Sequence, residues 1–510
     1  MSLIGVLIGL YIFYSAVKYA LSRVGINFTS LFGGNDFLHL VFKSFPTFFF
    51  SLFGFSFSNT KHQGFMSGWQ KFFLLNRFHK GLLMNGKTAR ISQNNSFTHS
   101  IIVANTGRGK TSSFVIPNIF TLDDCSILVT DLSGELFEKT SGKMKEKGFE
   151  VKAINLAEPF KSNTFNPLAS VKTDRQILEV VEILLQAGSF SKEDAFWNNG
   201  TRTILKILIS CLISQREKEK NDVYCNLANL RYLLNSFGKD GSELTNFLSK
   251  YADETTLKDF KGFISGSEKT TQGFIATALS CLSIVGTDTI ARLTATNEID
   301  FNEIRTKKTI VYLIIPQHEL TTYSFLLNLF YARFFKTCFE SKMSNVLPVY
   351  CLLDEAGHTK IPHLATIIAT IRKYKVSISL IFQSLSQMET QYGRNEAQTI
   401  LGGGIASKIF FSGCDDETCN KLENILGKVT IEERNQQGHI YKTQKPLMSA
   451  QEIRMMNDNQ ALYLFSNKKP ILMKIRPYFQ SFLFNSYAKI KPCAMIDRDL
   501  PKLKYVNLSN

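Results

Sequence analysis

The chain has 510 residues, enough for roughly two or three domains with substantial cores. Its hydrophobic content of 44% and charged content of 20% indicate a folded protein and exclude an intrinsically disordered one. Lys and Arg outnumber Asp and Glu by 59 to 43, for a formal net charge of +16. A surplus of this size suits a polyanionic partner, either a nucleic acid or the anionic face of a membrane. The same positive charge is equally typical of a protein from a Lys-rich proteome.

Two hydrophobic runs near the N-terminus predict a membrane anchor. The first, Ser2–Leu21, has about the length that a helix needs to cross a bilayer. The second, Phe37–Phe57, is weaker because Lys43 is charged and Pro46 interrupts a helix. We expect two spans, with one span plus an interfacial segment as the alternative. A cleaved signal peptide is disfavoured, since the first run lacks a basic n-region and a small-residue cleavage site.

A glycine-rich turn between a strand and a helix predicts a phosphate-binding loop. The apolar strand Ser100–Val103 precedes the segment ANTGRGKTS, residues 104–112, which leads into an apolar helix. In a P-loop, backbone N–H groups at a helix N-terminus surround phosphate oxygens. Lys110 would then contact the β- and γ-phosphates of ATP, and the Thr111 hydroxyl would ligate Mg²⁺. The predicted nucleotide-binding residues are Asn105, Thr106, Gly107, Arg108, Gly109, Lys110, Thr111 and Ser112. Ala104 stands where the first glycine of the motif is usual.

Two later strands end in polar residues suited to metal binding and water activation. The apolar strand Leu347–Leu353 ends at Asp354, predicted to hold Mg²⁺, and Glu355, predicted to orient and deprotonate the attacking water. The strand Val376–Phe382 ends at Gln383. Because ligands of parallel sheets bind at the carboxyl ends of strands, Gln383 is predicted to sense the γ-phosphate. The alternatives are an acidic helix cap for Asp354 and a plain strand cap for Gln383.

Further apolar strands predict the fold class. They are Ser126–Thr130, Ile310–Ile315 and Lys408–Phe411, and helical stretches separate them. Strands that alternate with helices predict an α/β fold with a doubly wound, mostly parallel sheet and right-handed crossovers.

Several stretches resemble the coupling-protein ATPases of bacterial type IV secretion and conjugation. They are, in chain order, Asp131–Leu136, Phe165–Leu168, Leu353–Ala356, Lys360–Pro362, Ile371–Arg372, Gln383–Gln387, Ala397–Gly402 and Lys408–Phe410. Their shared order over more than half of the chain is more specific than a P-loop alone. Ser133 departs from the family pattern, which has lysine at that position.

The resemblance implies a RecA-like P-loop NTPase with an all-α domain inserted in it, an N-terminal transmembrane anchor of two helices, and hexameric assembly. The predicted organisation is an anchor over residues 1–60, a first nucleotide-binding part over 61–185, the all-α insert over 186–300 and a second nucleotide-binding part over 301–510. By its place in the motif block, Arg372 is similar to an arginine finger supplied by a neighbouring subunit. A solvated helix-end arginine is the alternative.

The family also implies a function and a location. We expect a multi-pass protein of the bacterial inner membrane whose cytoplasmic domain hydrolyses ATP with Mg²⁺. It would drive relaxase-bound single-stranded DNA, secreted protein or both into a type IV secretion channel. The implied partners are the relaxosome, the channel components and further copies of the chain in a homohexamer. Two alternatives stay open: a membrane-anchored DNA translocase of the chromosome-partition type, and an ATP-gated docking platform that hydrolyses little.

Overall fold

The computed structural model describes residues 64–187, 195–342, 344, 346–357, 360–434, 440–495, 497 and 499–508. Both predicted membrane spans lie in residues 1–63, outside this part of the chain. Within the described ranges, no helix combines the length and the hydrophobicity that crossing a bilayer requires.

A nine-stranded sheet forms the centre of the described protein, with strand order β11-β10-β7-β1-β6-β5-β2-β4-β3. The strands are β1 Ser100–Val103, β2 Ser126–Asp131, β3 Glu150–Asn155, β4 Thr309–Ile314, β5 Val349–Leu353, β6 Val376–Phe382, β7 Ser407–Phe411, β10 Gln460–Phe465 and β11 Ile471–Lys474. All pairs from β7 to β3 are parallel, whereas β10 and β11 add antiparallel strands at one edge. A separate antiparallel hairpin consists of β8, Lys428–Arg434, and β9, Ile440–Pro446. The predicted mostly parallel α/β sheet is thus confirmed.

Helices connect the parallel strands, and the longest connection lies between β3 and β4. The helices before it are α1 Gly68–Leu74, α2 Gln93–Ser96, α3 Ile116–Thr121 and α4 Glu135–Glu146. The connection itself contains α5 Asp174–Ala187, α6 Ala195–Glu219, α7 Leu227–Asn235, α8 Thr245–Tyr251, α9 Glu254–Ile264, α10 Glu268–Cys281, α11 Asp288–Leu293 and α12 Phe301–Ile304. It includes no strand among its described residues. The boundaries of the inserted domain stay a prediction.

The remaining helices follow the later strands. They are α13 Leu320–Glu340, α14 Leu364–Thr370, α15 Leu385–Tyr392, α16 Arg394–Thr399, α17 Asp416–Leu426, α18 Ala450–Arg454 and α19 Phe482–Ala488. A π-helical turn, Thr111–Val115, joins the P-loop to α3.

Two apolar cores cover the two faces of the sheet. Alternate residues of β2 point to opposite faces, so Leu128 belongs to one core and Ile127 and Val129 to the other. The Leu128 side packs against the long helices between β3 and β4, and the other side packs against α3 and α4. Because both faces are covered, the strands are almost continuously apolar, as parallel sheets require.

The described residues of segment 491–508, which we call the C-terminal strap, contact both α4 and the helices between β3 and β4. The N–H of Cys493 donates to Oγ of Ser141 on α4 at 3.0 Å. Farther on, the buried Asn229 of α7 donates through Nδ2 to the carbonyl of Lys504 and accepts the N–H of Val506 at Oδ1, both at 2.9 Å. One amide side chain thereby holds two backbone groups of the strap.

Replacement of Asn229 by Ala should detach this part of the strap. Both hydrogen bonds would be lost in a buried place, which should lower the free energy of unfolding by about 2–3 kcal/mol. The amide of Val506 should also exchange with solvent faster, as hydrogen exchange read by mass spectrometry would detect. Asn235→Ala, at the exposed end of the same helix, is the matched control and should change stability by less than about 0.5 kcal/mol. Unchanged exchange at Val506 in Asn229→Ala would contradict the role of the Asn229 side chain.

Candidate functional site

The carboxyl ends of three neighbouring parallel strands bring the predicted site residues together. β1 pairs with β6, and β6 pairs with β5. The turns after Val103, Leu353 and Phe382 therefore meet at the carboxyl ends of these central strands. Lys110, Thr111, Asp354, Glu355 and Gln383 follow these ends. Their contacts define the candidate site.

The backbone of the glycine-rich loop has the conformation that an anion-binding turn requires. Gly107 and Gly109 have φ angles of +77° and +81°, in the left-handed region that favours glycine. A β-carbon at position 107 would point into open space. Ala104 has no positive φ, and its N–H donates to the carbonyl of Phe382 at 3.1 Å, which continues the β1–β6 ladder. Alanine in place of the usual glycine therefore introduces no backbone strain here.

Lys110 forms a buried ion pair with Glu355. Nζ of Lys110 lies 2.5 Å from Oε1 of Glu355, and the two side chains are 8% and 17% exposed. An ammonium group has three N–H donors. Among the described residues, the Glu355 carboxylate is the partner of the Lys110 ammonium. Lys110 therefore keeps donor capacity for another anionic group at the loop.

Thr111 and Asp354 are also in direct contact. The Thr111 hydroxyl donates to Oδ2 of Asp354 at 2.8 Å, and the Thr130 hydroxyl donates to the carbonyl of Asp354 at 2.9 Å. Burial raises the pKa of Asp354 from 3.8 to about 6, with a further upward contribution from the Glu355 carboxylate. The Thr111 hydroxyl and the Lys110 ammonium act in the opposite direction.

Gln383 holds the second oxygen of Glu355. Its Nε2 donates to Oε2 of Glu355 at 2.9 Å, while its backbone N–H donates to Oε1 of Gln387 at 2.9 Å. Glu355 itself has a φ of +55°, an unfavourable conformation for a residue with a side chain, which aims its carboxylate between Lys110 and Gln383. Gly357 packs so closely on Gln387 that a β-carbon there would lie 2.2 Å from Cδ of Gln387.

The other loop residues lie at the side of the site that faces β7 and β10. Nδ2 of Asn105 donates to the carbonyl of Gly413, and Arg108 forms an ion pair with Asp458. The Ser112 hydroxyl donates to the carbonyl of Gly109 at 3.3 Å. These contacts fix the flank of the loop. They leave Thr106 and Gly107, at the tip of the loop, exposed.

Arg372 does not join this cluster. It is exposed, and it lies in a 3₁₀ turn, Ile371–Tyr374, before the amino end of β6. Gln383 follows the opposite end of that strand, about 20 Å away for seven residues. Arg372 lines a separate cleft of about 640 Å³ together with Lys373 and Lys375, and no acidic side chain lines it.

The arrangement fits a nucleoside triphosphate with Mg²⁺. The loop offers backbone N–H groups and the Lys110 ammonium to phosphates, and the hydroxyl–carboxylate pair of Thr111 and Asp354 offers the oxygen donors that Mg²⁺ prefers. Glu355 and Gln383 lie beside both. Within the described residues no group of three or more His, Cys, Asp and Glu side chains is placed to hold a metal ion.

Sequence reasoning did not assign a role to three contacts of the site. Thr130 supports the backbone of Asp354, Gln387 positions Gln383, and Asp458 pairs with Arg108. Only Gln387 carried a signal, because it lies one helical turn after Gln383 in the motif block. The other two contacts depend on strand order, which a local motif does not contain.

Curated relatives of the chain have low but extensive similarity. The chain is 25% identical over 417 residues to Protein VirD4 of Rhizobium rhizogenes and 26% identical over 417 residues to Protein VirD4 of Agrobacterium fabrum. Each alignment covers 76% of this chain and 59% of the relative, so the chain spans about 60% of the length of these proteins. A type IV secretion system-coupling protein VirD4 of Bartonella henselae is 22% identical over 349 residues, covering 66% of this chain and 54% of that protein.

Solved structures share the fold. The plasmid coupling protein TrwB in complex with ADP and Mg²⁺ is similar with a TM-score of 0.60 at 15% identity, covering 83% of this chain and 97% of that one. TrwB with a non-hydrolysable ATP analogue gives a TM-score of 0.59 at 14% identity, covering 81% and 93%. The chain therefore has a TrwB-like α/β fold. The family model described as Type IV secretory system Conjugative DNA transfer matches residues 60–504, and the chain belongs to that family.

Proposed function

We propose that this protein is a membrane-anchored ATPase that couples ATP hydrolysis to the transfer of DNA, protein or both through a type IV secretion channel. The observation that carries the proposal is the meeting of Lys110, Thr111, Asp354, Glu355 and Gln383 at one sheet edge. Membership in the conjugative DNA transfer family supports the cargo and the channel. The net charge of +16 supports a polyanionic cargo such as relaxase-bound single-stranded DNA.

ATP would bind with its phosphates in the loop between Asn105 and Ser112. Backbone N–H groups surround the phosphate oxygens, and Lys110 exchanges part of its contact with Glu355 for the β- and γ-phosphates. Thr111 and Asp354 would hold Mg²⁺, which neutralises charge on the phosphates when it is bound.

Glu355 would act as the general base. Once Lys110 contacts phosphate, the Glu355 carboxylate accepts a proton from the water that attacks the γ-phosphorus, and the bond to the β-phosphate oxygen breaks to give ADP and phosphate. Gln383 donates to Glu355, and it would also contact the γ-phosphate. Through the hydrogen bond from its N–H to Gln387, it would therefore report to α15 whether that phosphate is present.

Arg372 would serve the site of a neighbouring copy in a ring. Its exposure and its distance from Lys110 of the same chain support a role between subunits, because an arginine finger must reach an active site from outside. The two basic neighbours in its cleft, Lys373 and Lys375, add positive potential there.

Two other functions are weaker. A chromosome-partition translocase would share the ATPase site, but the match of residues 60–504 to the conjugative DNA transfer family favours a coupling protein. A docking platform that hydrolyses little would be expected from a damaged loop, and Ala104 keeps the backbone of this loop in place without strain.

Magnesium-dependent nucleotide binding should weaken in acid. Since the pKa of Asp354 is raised to about 6, protons compete with Mg²⁺ for this carboxylate below that pH. In the presence of Mg²⁺, the affinity for a fluorescent ATP analogue should fall about tenfold as the pH drops from about 7.5 to about 5. When a chelator removes the Mg²⁺, the same drop in pH should lower the affinity less. Asp354→Asn should remove the Mg²⁺-dependent part of the change. An identical pH profile in that variant would contradict the assignment of Asp354.

Hydrolysis should depend on Glu355 while binding does not. Glu355→Gln should keep nucleotide affinity and lower kcat about 10²–10⁴-fold, whereas Lys110→Ala should weaken binding as well. Single-stranded DNA should raise the turnover of the wild type, as measured by phosphate release. Glu146→Gln, an exposed carboxylate on α4, is the matched control and should behave as wild type. A wild type that binds ATP without turnover, with or without DNA, would favour the docking platform.

Mixed rings should separate the role of Arg372 from that of Lys110. Arg372→Ala and Lys110→Ala should each be inactive alone. Together they should recover turnover, since random mixing restores an intact loop beside an intact arginine at about a quarter of the interfaces. Lys373→Ala mixed with Lys110→Ala is the control. It tests whether the loss of any positive charge from this cleft, and not the loss of Arg372 itself, changes the turnover. No recovery in the first mixture, despite assembly shown by light scattering, would assign Arg372 a structural role.

A further inference from the structure

We infer that α1 and the turn after it form a membrane-binding surface, which docks on a bilayer containing anionic lipids. Three large aromatic side chains of this region are exposed: Trp69 by 53%, Phe73 by 71% and Phe78 by 64%. Burying exposed aromatic surface of this size stabilises an interface. The inference concerns a surface remote from the nucleotide site, so it does not depend on ATP hydrolysis.

Trp69 and Phe73 belong to one face of α1, whereas Phe78 lies in the turn after it. Trp69 and Phe73 are four residues apart on α1, and their ring centroids lie 6.1 Å apart. The opposite face is fixed to the protein, because Leu74 and Leu75 are buried in the core on the α3 side of the sheet. The exposed face therefore has a defined direction, as a docking surface requires.

Basic residues lie beside the aromatic side chains. Arg77 and Lys80 are exposed and flank Phe78, with the Arg77 guanidinium 5.5 Å from the Phe78 ring centroid. Lys71 is half-buried and does not share the face of α1 that carries Trp69 and Phe73. Aromatic side chains with Lys or Arg beside them are typical of the membrane–water interface.

A second element adds positive charge beside α1. The N–H of Met66, two residues before the helix, donates to the carbonyl of Pro470 at 2.8 Å. The turn between β10 and β11 therefore lies next to the start of α1. It carries the exposed Lys468 and Lys469. Two segments that are far apart in the chain thus contribute to one basic surface.

The sequence around α1 identifies a lipid surface as the partner. Between Phe57 and Arg90 the chain has five Lys and Arg residues and no Asp or Glu. The hydrophobic run Phe37–Phe57 ends 11 residues before Gly68. If that run is in a bilayer, at most about 40 Å of extended chain separates it from α1. A basic segment this close to hydrocarbon is attracted by anionic headgroups at about 1 kcal/mol per Lys or Arg.

The two tryptophans of the chain provide a direct test. Trp69 lies on the proposed surface, whereas Trp197, 37% exposed, lies on α6. In the full chain reconstituted into vesicles, Trp197→Phe reports Trp69 alone and Trp69→Phe reports Trp197 alone. We expect lipids brominated near the headgroup to quench Trp69 at least about twofold more than Trp197. The quenching should need phosphatidylglycerol beside phosphatidylcholine, and added salt should weaken it.

Other outcomes would overturn the inference. Equal quenching of the two tryptophans would place α1 away from the lipid. A blue shift of Trp69 that occurs in detergent and rises with protein concentration would identify a second copy of the chain as the occupant. A variant with Lys468→Gln and Lys469→Gln should lose part of the Trp69 quenching while its ATP turnover stays unchanged. Quenching should also persist in Lys110→Ala, so that failure of the membrane surface and failure of the ATPase can be distinguished.

Discussion

The pairing of β1, β6 and β5 is the constraint on which the candidate site depends. The carboxyl ends of parallel strands lie on the same side of a sheet. Residues that follow these ends therefore meet, even when they lie more than 240 positions apart in the chain, as Lys110 and Glu355 do. The ladder continues one residue beyond β1, where Ala104 donates to the carbonyl of Phe382. A shift of one residue in this register would move Glu355 away from both Lys110 and Gln383. The chemistry therefore depends on the register of buried backbone hydrogen bonds.

Because the charged groups of the site are buried, the ionisation state of each depends on that of its neighbours. Asp354 and Lys110 are both more than nine-tenths buried, and each acidic group at the site has a donor within hydrogen-bonding distance. In such surroundings an ionised side chain is stable only with partners, so a change at one group alters the protonation of another. The pKa of Asp354, raised by burial and by Glu355, is one consequence. Phosphates and Mg²⁺ would redistribute these contacts.

Much of the site, and less of the fold, could be predicted from the sequence. The P-loop and Asp354-Glu355 follow apolar strands, and buried parallel strands are visible as continuous apolar runs such as Val376–Phe382. β3 was not predicted, because it is an edge strand whose first half is not buried and carries the charged residues Glu150 and Lys152. The antiparallel strands β10 and β11 were also missed, although β10 is an apolar and largely buried run that pairs with both β7 and β11. Contacts such as Arg108 with Asp458 depend on these strands.

The C-terminal strap has a consequence for the helices between β3 and β4. These helices are joined to the sheet by two chain connections and by the apolar core on its Leu128 face. The strap adds an attachment that bypasses the sheet, because it contacts Ser141 on α4, which packs on the other face, and Asn229 on α7. Helices on opposite faces of the sheet are therefore coupled by hydrogen bonds to one C-terminal segment.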